Sequence, residues 1–321
     1  MKQPHVVITG GAGFIGSNIA HELLARKYGV TVIDNLATGR LENLHDIRRK
    51  ITFVRGDIRN LDLLQRTFKG ATYVLHQAAL PSVPRSIRDP FASHDVNVNG
   101  TFNVLLAARD QKIKKVVLAS SSSIYGNRKY YGSREFRDKK EVMKPMPLSP
   151  YAVNKLVGEE YAKVFAHIFQ VPTVCLRYFN VYGHNQDPQS EYAAVIPRFI
   201  TAMLTNKPIV IYGDGHQSRD FTYIDNVINA NILAMLSPKA SHGETMNVAC
   251  GDSVSLLRLA TSIGKILGKK PKITFEPARA GDVKHSLADI SKAKKYIGYT
   301  PVVRFDDGLK RTVEWYREHS S

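Results

Sequence analysis

Short apolar runs recur along the chain: Val6-Val7-Ile8, Val30 to Ile33, Ile51 to Val54, Tyr73 to His76, Val116 to Ala119 and Thr173 to Leu176. Between them the apolar residues fall at helical spacing, as in Ile15, Ile19, Leu23 and Leu24. Short buried runs alternating with helical stretches predict an α/β chain with a doubly wound parallel sheet. Ligands in that architecture sit beyond the carboxyl ends of the strands. There the chain carries Gly56-Asp57-Ile58, His76-Gln77-Ala78-Ala79, Ser120 to Ser123 and Tyr178-Phe179-Asn180. So many small or hydrogen-bonding residues at strand ends suggest one shared cleft. From about Gly183 the pattern loosens, with Gly and Pro punctuation, and predicts a smaller lobe closing over that cleft. The expected division is 1–182 for the sheet domain with the catalytic residues and 183–321 for a mixed α/β substrate lobe, with some return of chain to the first core.

The first strand runs into GGAGFIG, Gly10 to Gly16, and then into a helix. Glycines at 10, 13 and 16 permit a tight turn, close approach of backbone to a pyrophosphate and close packing of helix on strand, the arrangement of a Rossmann dinucleotide site. The second run ends in Asp34, where a carboxylate can bind the adenosine ribose hydroxyls and would repel a 2′-phosphate. NAD is therefore expected rather than NADP. The stretch SPYAVNK opens a further helix, with Ser149 as N-cap and Pro150 at the first helical position. It places Tyr151 and Lys155 on one face. A phenol acts as a base near neutral pH only if a positive charge stabilises its phenolate, and Lys155 is positioned for that. The spacing alone decides little, because Tyr125 and Lys129 share it beside a Gly126-Asn127 turn.

Composition changes this picture little. The 321 residues, 43% hydrophobic, suffice for one large or two fused cores. No apolar run is long enough to span a membrane and Met1 to Pro4 lacks a leader layout, so a cytoplasmic location is expected. Cys175 and Cys250 show no metal or disulfide spacing, so no metal site is predicted. The formal net charge of +17 suits nucleic acid or a small polyanion. The basic residues are scattered and lack an aromatic-interleaved pattern, which favours a solvated surface over specific nucleic-acid binding.

GGAGFIG, Asp34, Asp57-Ile58, SSSSIYG, SPYAVNK, RYFNVYG, SRDF and RAGD together resemble the extended short-chain dehydrogenase/reductases, specifically the nucleotide-sugar 4-epimerases. LPSVPRS, NQDPQSEYAAVIPRF and GDVKHSLADISKA are most similar to the branch acting on UDP-N-acetylglucosamine. The resemblance implies that Gly10, Gly13, Gly16, Asp34, Asp57 and Ile58 hold tightly bound NAD, with Phe14, Ile15, Asn35, Gln77, Ala78 and Ala79 in the same segments. It implies that Lys155 also touches the nicotinamide ribose, that Tyr178 lies near the nicotinamide, and that Ser121 is the catalytic hydroxyl beside Tyr151. Asn180, Ala194, Val195, Tyr212, Arg219, Arg279 and Asp282 would hold UDP. Ser122, Val83, Arg85 and Ser286 would lie on the sugar side.

The implied reaction takes the C4 hydroxyl proton with Tyr151 while bound NAD accepts and later restores a hydride, through a transient 4-keto sugar. Related dehydratases and decarboxylases place an acid just after the catalytic hydroxyl. Here Ser122 and Ser123 follow Ser121. A small Ser286 implies room for an N-acetyl group. UDP-glucose and UDP-glucuronate remain alternative substrates, with Arg85 or the basic stretch Arg128 to Lys144 available to a carboxylate, and a non-catalytic NAD-binding regulator is the lower alternative. The family implies a homodimer through the Tyr151 helix and the helix near Asn99 to Arg109.

Overall fold

The computed structural model describes residues 3–126, 138–187, 194–277 and 284–319. Arg279, Asp282 and most of the basic stretch, 128–137, lie outside these. The first part of the chain runs β1 (His5–Thr9), α1 (Phe14–Ala25), β2 (Gly29–Asp34), β3 (Thr52–Arg55), α2 (Leu61–Phe68) and β4 (Tyr73–His76). It continues through α3 (Val83–Arg88), α4 (Pro90–His94), α5 (Thr101–Asp110), β5 (Lys115–Ser121), β6 (Asp138–Lys139), α6 (Pro150–Ile168) and β7 (Thr173–Tyr178). The rest comprises β8 (Val181–Tyr182), α7 (Val195–Leu204), β9 (Ile209–Tyr212), β10 (Ser218–Arg219), β11 (Thr222–Tyr223), α8 (Ile224–Leu236) and β12 (His242–Val248). After these come β13 (Val254–Ser255), α9 (Leu256–Leu267), β14 (Ile273–Glu276), β15 (Leu287–Ala288), α10 (Ser291–Ile297) and α11 (Phe305–His319).

Seven parallel strands form the main sheet in the order β12-β7-β5-β4-β1-β2-β3. The Rossmann-type α/β sheet expected from the sequence is therefore present. Alternation along the strands sends side chains to two cores. Val6, Ile8, Val32, Leu75 and Val117 pack with Ile19 and Leu23 of α1 and Val227 and Ala230 of α8 on one face. Val7, Ile33, Val74 and Val116 pack with Leu64, Leu105, Ala162 and Phe165 on the other, under α2, α5 and α6. The first core continues without a break into Ile196, Phe199, Leu259 and Tyr316, which belong to the helices of the second part of the chain. Strand β12 returns to the sheet edge beside β7. Four two-stranded pairs, β10-β13, β11-β8, β14-β9 and β15-β6, build the rest of the second part and bring residues 138–139 against 287–288.

Strand order reverses around β1, which has β2 on one side and β4 on the other. This is the crevice where such sheets bind ligands. The glycine turn leaves β1 at that point. Gly10 has φ of +70° and donates its N–H to Ile33 O at 2.8 Å. A Cβ on Gly16 would lie 2.2 Å from Gly10 O, so only glycine lets α1 fold back so tightly.

Candidate active site

A cleft of about 910 Å³ opens over the carboxyl ends of β1, β2, β4 and β5, a volume in the range of ligand pockets. All the predicted cofactor residues line it: Gly10, Gly13, Phe14, Ile15, Gly16, Asp34, Asn35, Asp57, Ile58, Gln77, Ala78, Ala79, Tyr151, Lys155 and Tyr178. Helix α1 follows the N-cap Gly13, which offers no side-chain cap, and has no acidic residue in its first turn. Its first amides thus face the cleft ready for an anion. Asp34 closes the adenosine end. Its Oδ2 accepts Ala12 N–H at 2.9 Å and its Oδ1 accepts Leu36 N–H at 2.8 Å, leaving each oxygen a lone pair for a hydroxyl. Burial raises its pKa, and those two N–H groups oppose the rise. Asn35 Nδ2 donates to Asp57 at 2.8 Å, and Arg59 grips the same carboxylate, holding its pKa down at about 2. The donor set therefore fits a dinucleotide with a diphosphate and an unmodified adenosine ribose.

At the other end stand the reacting groups. Ser149 Oγ accepts Ala152 N–H at 3.2 Å and caps α6, which sets Tyr151 and Lys155 one turn apart. Lys155 Nζ lies 5.9 Å from the centre of the Tyr151 ring and donates to Ala119 O at 2.9 Å. Its ammonium is thus held by β5 rather than by the phenol. Burial lowers Lys155 to about 8 and raises Tyr151 to about 12, and a hydrogen bond from Ser121 pulls the phenol back down. Ser121 Oγ already accepts from Ser123 Oγ at 2.9 Å and from Ser123 N–H at 3.2 Å, which leaves its own proton for Tyr151. Tyr178 is fixed in the cleft floor by Asn231 at 2.9 Å and Gln77 at 3.2 Å.

A second cavity of about 250 Å³ adjoins the first at Ala194, which lines both. It brings together Asn180, Ala194, Val195, Tyr212 and Arg219, five of the residues expected to hold UDP. Arg85 lines the main cleft. Ser121, Ser122, Val83 and Ser286 line neither cavity. Ser122 opens the short turn Ser122–Tyr125, Val83 is the first residue of α3 and is 37% exposed, and Ser286 is buried with its N–H on Ser218 O at 3.0 Å.

Several lining residues escaped the sequence reading. Arg40 and Asp187 form a 2.7 Å ion pair across the mouth of the cleft. Nothing in their flanking sequence marks that pairing. Asn231, which lines neither cavity but holds Tyr178, is one of three asparagines in α8, and nothing in the sequence sets it apart from the other two. Gln217 lines the second cavity without any mark in the sequence, whereas Arg198, which also lines it, is one of the arginines that the sequence offers as an anion ligand. Asp220 of the SRDF stretch, fully buried, accepts N–H groups from Cys250, Gly251 and Ala288 at 2.9 to 3.2 Å. It ties the cavity wall to the return segment rather than facing a ligand.

The NAD dependent epimerase/dehydratase family description matches residues 6–249. The chain belongs to that family. Its cofactor is NAD. This family member is 37% identical to the UDP-glucose 4-epimerase of Mycolicibacterium smegmatis over 98% of the chain and 99% of that relative. A solved UDP-N-acetylglucosamine 4-epimerase from Methanobrevibacter ruminantium M1, in complex with UDP-N-acetylmuramic acid, is 40% identical with a TM-score of 0.92, covering 99% of this chain and 100% of that one. The UDP-glucuronic acid 4-epimerase of Bacillus cereus, solved with UDP-glucuronic acid and NAD, is 35% identical with a TM-score of 0.89 over 98% and 99% of the two chains.

Proposed function

We propose that this NAD-dependent UDP-sugar 4-epimerase interconverts UDP-N-acetylglucosamine and UDP-N-acetylgalactosamine. The observation that carries the chemistry is Tyr151, hydrogen-bonded by Ser121 and one helical turn from Lys155, in a cleft that leads into a second cavity lined by Arg219, Asn180 and Tyr212. When bound, NAD supplies an oxidised, positively charged nicotinamide that takes the C4 hydrogen as hydride and returns it. Tyr151 removes the proton of the C4 hydroxyl as a phenolate. With substrate bound, Ser121 turns its one proton from Tyr151 to the same oxygen, and the Lys155 ammonium offsets the phenolate charge that burial alone disfavours. Asp34, Asp57 and the first turn of α1 hold the cofactor. Arg219, Asn180, Ala194, Val195 and Tyr212, with Arg279 and Asp282 outside the described residues, hold UDP. Gripping the nucleotide leaves the 4-keto sugar free to turn and present its other face.

Two features support the acetylated sugar: the small Ser286, which the family resemblance puts on the sugar side although it lines neither cavity, and the 40% identity to an acetylglucosamine epimerase. UDP-glucuronate is the second reading, favoured by Arg85 in the cleft wall and by the Bacillus cereus relative. The helices α5 and α6 are proposed to pair two copies, consistent with exposed Val153, Val164 and Ile168 on α6. Among the described residues no helix is long and apolar enough to cross a membrane, and we place the enzyme in the cytoplasm. Tyr151→Phe tests the mechanism: it should retain NAD and lose about 10²- to 10⁴-fold in kcat, the range for a lost general base. Near-full turnover in that variant would refute the assignment.

A further inference from the structure

Ser120, Arg177 and Asn247 lie side by side at matched positions on β5, β7 and β12. All three are buried. Polar side chains in such a place cost free energy unless they are partnered. Ser120 and Arg177 meet Glu159, which sits on α6 one turn beyond Lys155 and is 1% exposed. Ser120 Oγ donates to Glu159 Oε1 at 2.5 Å, Arg177 Nε donates to the same oxygen at 2.9 Å, and Arg177 Nη2 donates to Oε2 at 2.7 Å. The guanidinium also lies 4.7 Å from the centre of the Tyr125 ring, and Tyr125 donates its hydroxyl to Asn247 Oδ1 at 2.7 Å. A buried ion pair is weak evidence of stabilisation, since apolar groups of the same shape often serve as well. Its place directly behind the reacting groups gives it another use.

We propose that Glu159, clamped by Ser120 and Arg177, is a positioning residue of the epimerase site that fixes the end of β5 on α6 and, with Arg177, sets the charge around Lys155 and Tyr151. The inference rests on the Tyr151-centred reading given above. Anchoring Ser120 to Glu159 fixes the peptide that carries Ser121, and with it the position from which Ser121 meets Tyr151 at the start of α6. Lys155 makes a second anchor one turn earlier, through Ala119 O. The segment 119–121 is therefore held on α6 at two points.

The charges follow from the same packing. Lys155 is faced by Tyr151 and Glu159 on its own helix, by His76 on β4, and by Cys175 on β7, with Arg177 of β7 behind Glu159. His76 and Cys175 are neutral near pH 7, because burial lowers the imidazole to about 3 and raises the thiol. Nearest Lys155 this leaves two cations and one carboxylate; Glu141, whose carboxyl pKa burial raises, acts on Arg177 from the side of the Tyr125 ring. A phenolate on Tyr151 balances the set. Without Arg177, Glu159 would cancel Lys155 and leave the phenolate uncompensated.

The test uses the NAD-loaded protein and two readouts. One is the pH profile of kcat on whichever UDP-hexose is turned over. The other is the phenolate absorbance titration of Tyr151, taken as the difference from Tyr151→Phe, which needs no sugar and so fails independently of the substrate reading. Glu159→Gln removes a negative charge and should move both midpoints down by about one pH unit; Arg177→Met should move both up by about as much. The double variant Glu159→Gln/Arg177→Met should return to the wild-type position. Ser120→Ala should lower kcat by about three- to tenfold, the loss of one hydrogen bond, with KM and both midpoints unchanged. A pair held only for structure would lower kcat without opposite shifts. Unshifted midpoints, or shifts of one sign in both charge variants, would overturn the charge-setting role, and full kcat in Ser120→Ala would overturn the clamp. Should Glu159→Gln not fold, the upward shift in Arg177→Met and its cancellation in the double variant decide the same question.

Discussion

His76 offers a perturbation whose size can be worked from its surroundings. Its ring is buried between two threonines, with Nδ1 2.7 Å from Thr9 Oγ1 and Nε2 2.9 Å from Thr101 Oγ1. Thr101 gives its own proton to Asn97 O at 2.7 Å, so it accepts from Nε2–H, and Nδ1 is the acceptor for Thr9. Thr9 Oγ1 in turn accepts Ala78 N–H, in the cleft wall, at 3.4 Å. The imidazole is thus neutral with both nitrogens used. Burial, and secondarily the Lys155 charge, lower its pKa from 6.5 to about 3. The folded state therefore binds this proton less readily than the unfolded chain, so the stability due to His76 is intact above pH 6.5 and falls as pH drops toward 3. At about 1.4 kcal/mol per pH unit the whole loss is about 5 kcal/mol, of which about 2 kcal/mol is gone by pH 5. His76→Gln can bond both threonines but does not titrate. Urea unfolding of both proteins at fixed NAD concentration should show their stability difference shrinking by about 2 kcal/mol between pH 7 and pH 5. A difference that stays constant over that interval would refute the neutral, desolvated imidazole.

Three further substitutions probe the cleft. Asp34→Ala orphans the Ala12 and Leu36 N–H groups at about 1–3 kcal/mol each and removes the ribose acceptor, so the purified protein should lose its NAD on gel filtration; full retention would move the ribose ligand elsewhere. Arg40→Ala breaks a pair whose members are 52% and 32% exposed, so it should cost under about 1 kcal/mol and speed NAD release no more than about fivefold, measured by competition with labelled NAD. Ser286→Tyr should lower kcat/KM for the acetylated sugar at least about tenfold more than for the plain one, whereas equal losses would place the sugar gate at another residue.

The glycine turn, Asp34 and the run of parallel strands were legible because each depends on local periodicity and spacing. Strand β12 was not among the apolar runs, since its sequence HGETMNV opens with exposed and half-buried polar residues at the sheet edge. The row of Ser120, Arg177 and Asn247 was illegible for a related reason. A polar residue reads as exposed unless the partner that satisfies it is known, and Glu159 reaches two of them only after α6 docks on the sheet. Lys155 was read as a phenol's partner from helical spacing; its bond to Ala119 O required the fold. The Arg40–Asp187 contact joins residues far apart in the chain, with no periodic signal to announce it.

C4 epimerisation is tested most directly by NMR of the purified enzyme, without added cofactor, incubated separately with UDP-N-acetylglucosamine, UDP-glucose and UDP-glucuronate. The expected result is a mixture of UDP-N-acetylglucosamine and its C4 epimer, with little change in the other two. No C4 epimer from any of the three, in protein shown to contain NAD, would contradict it.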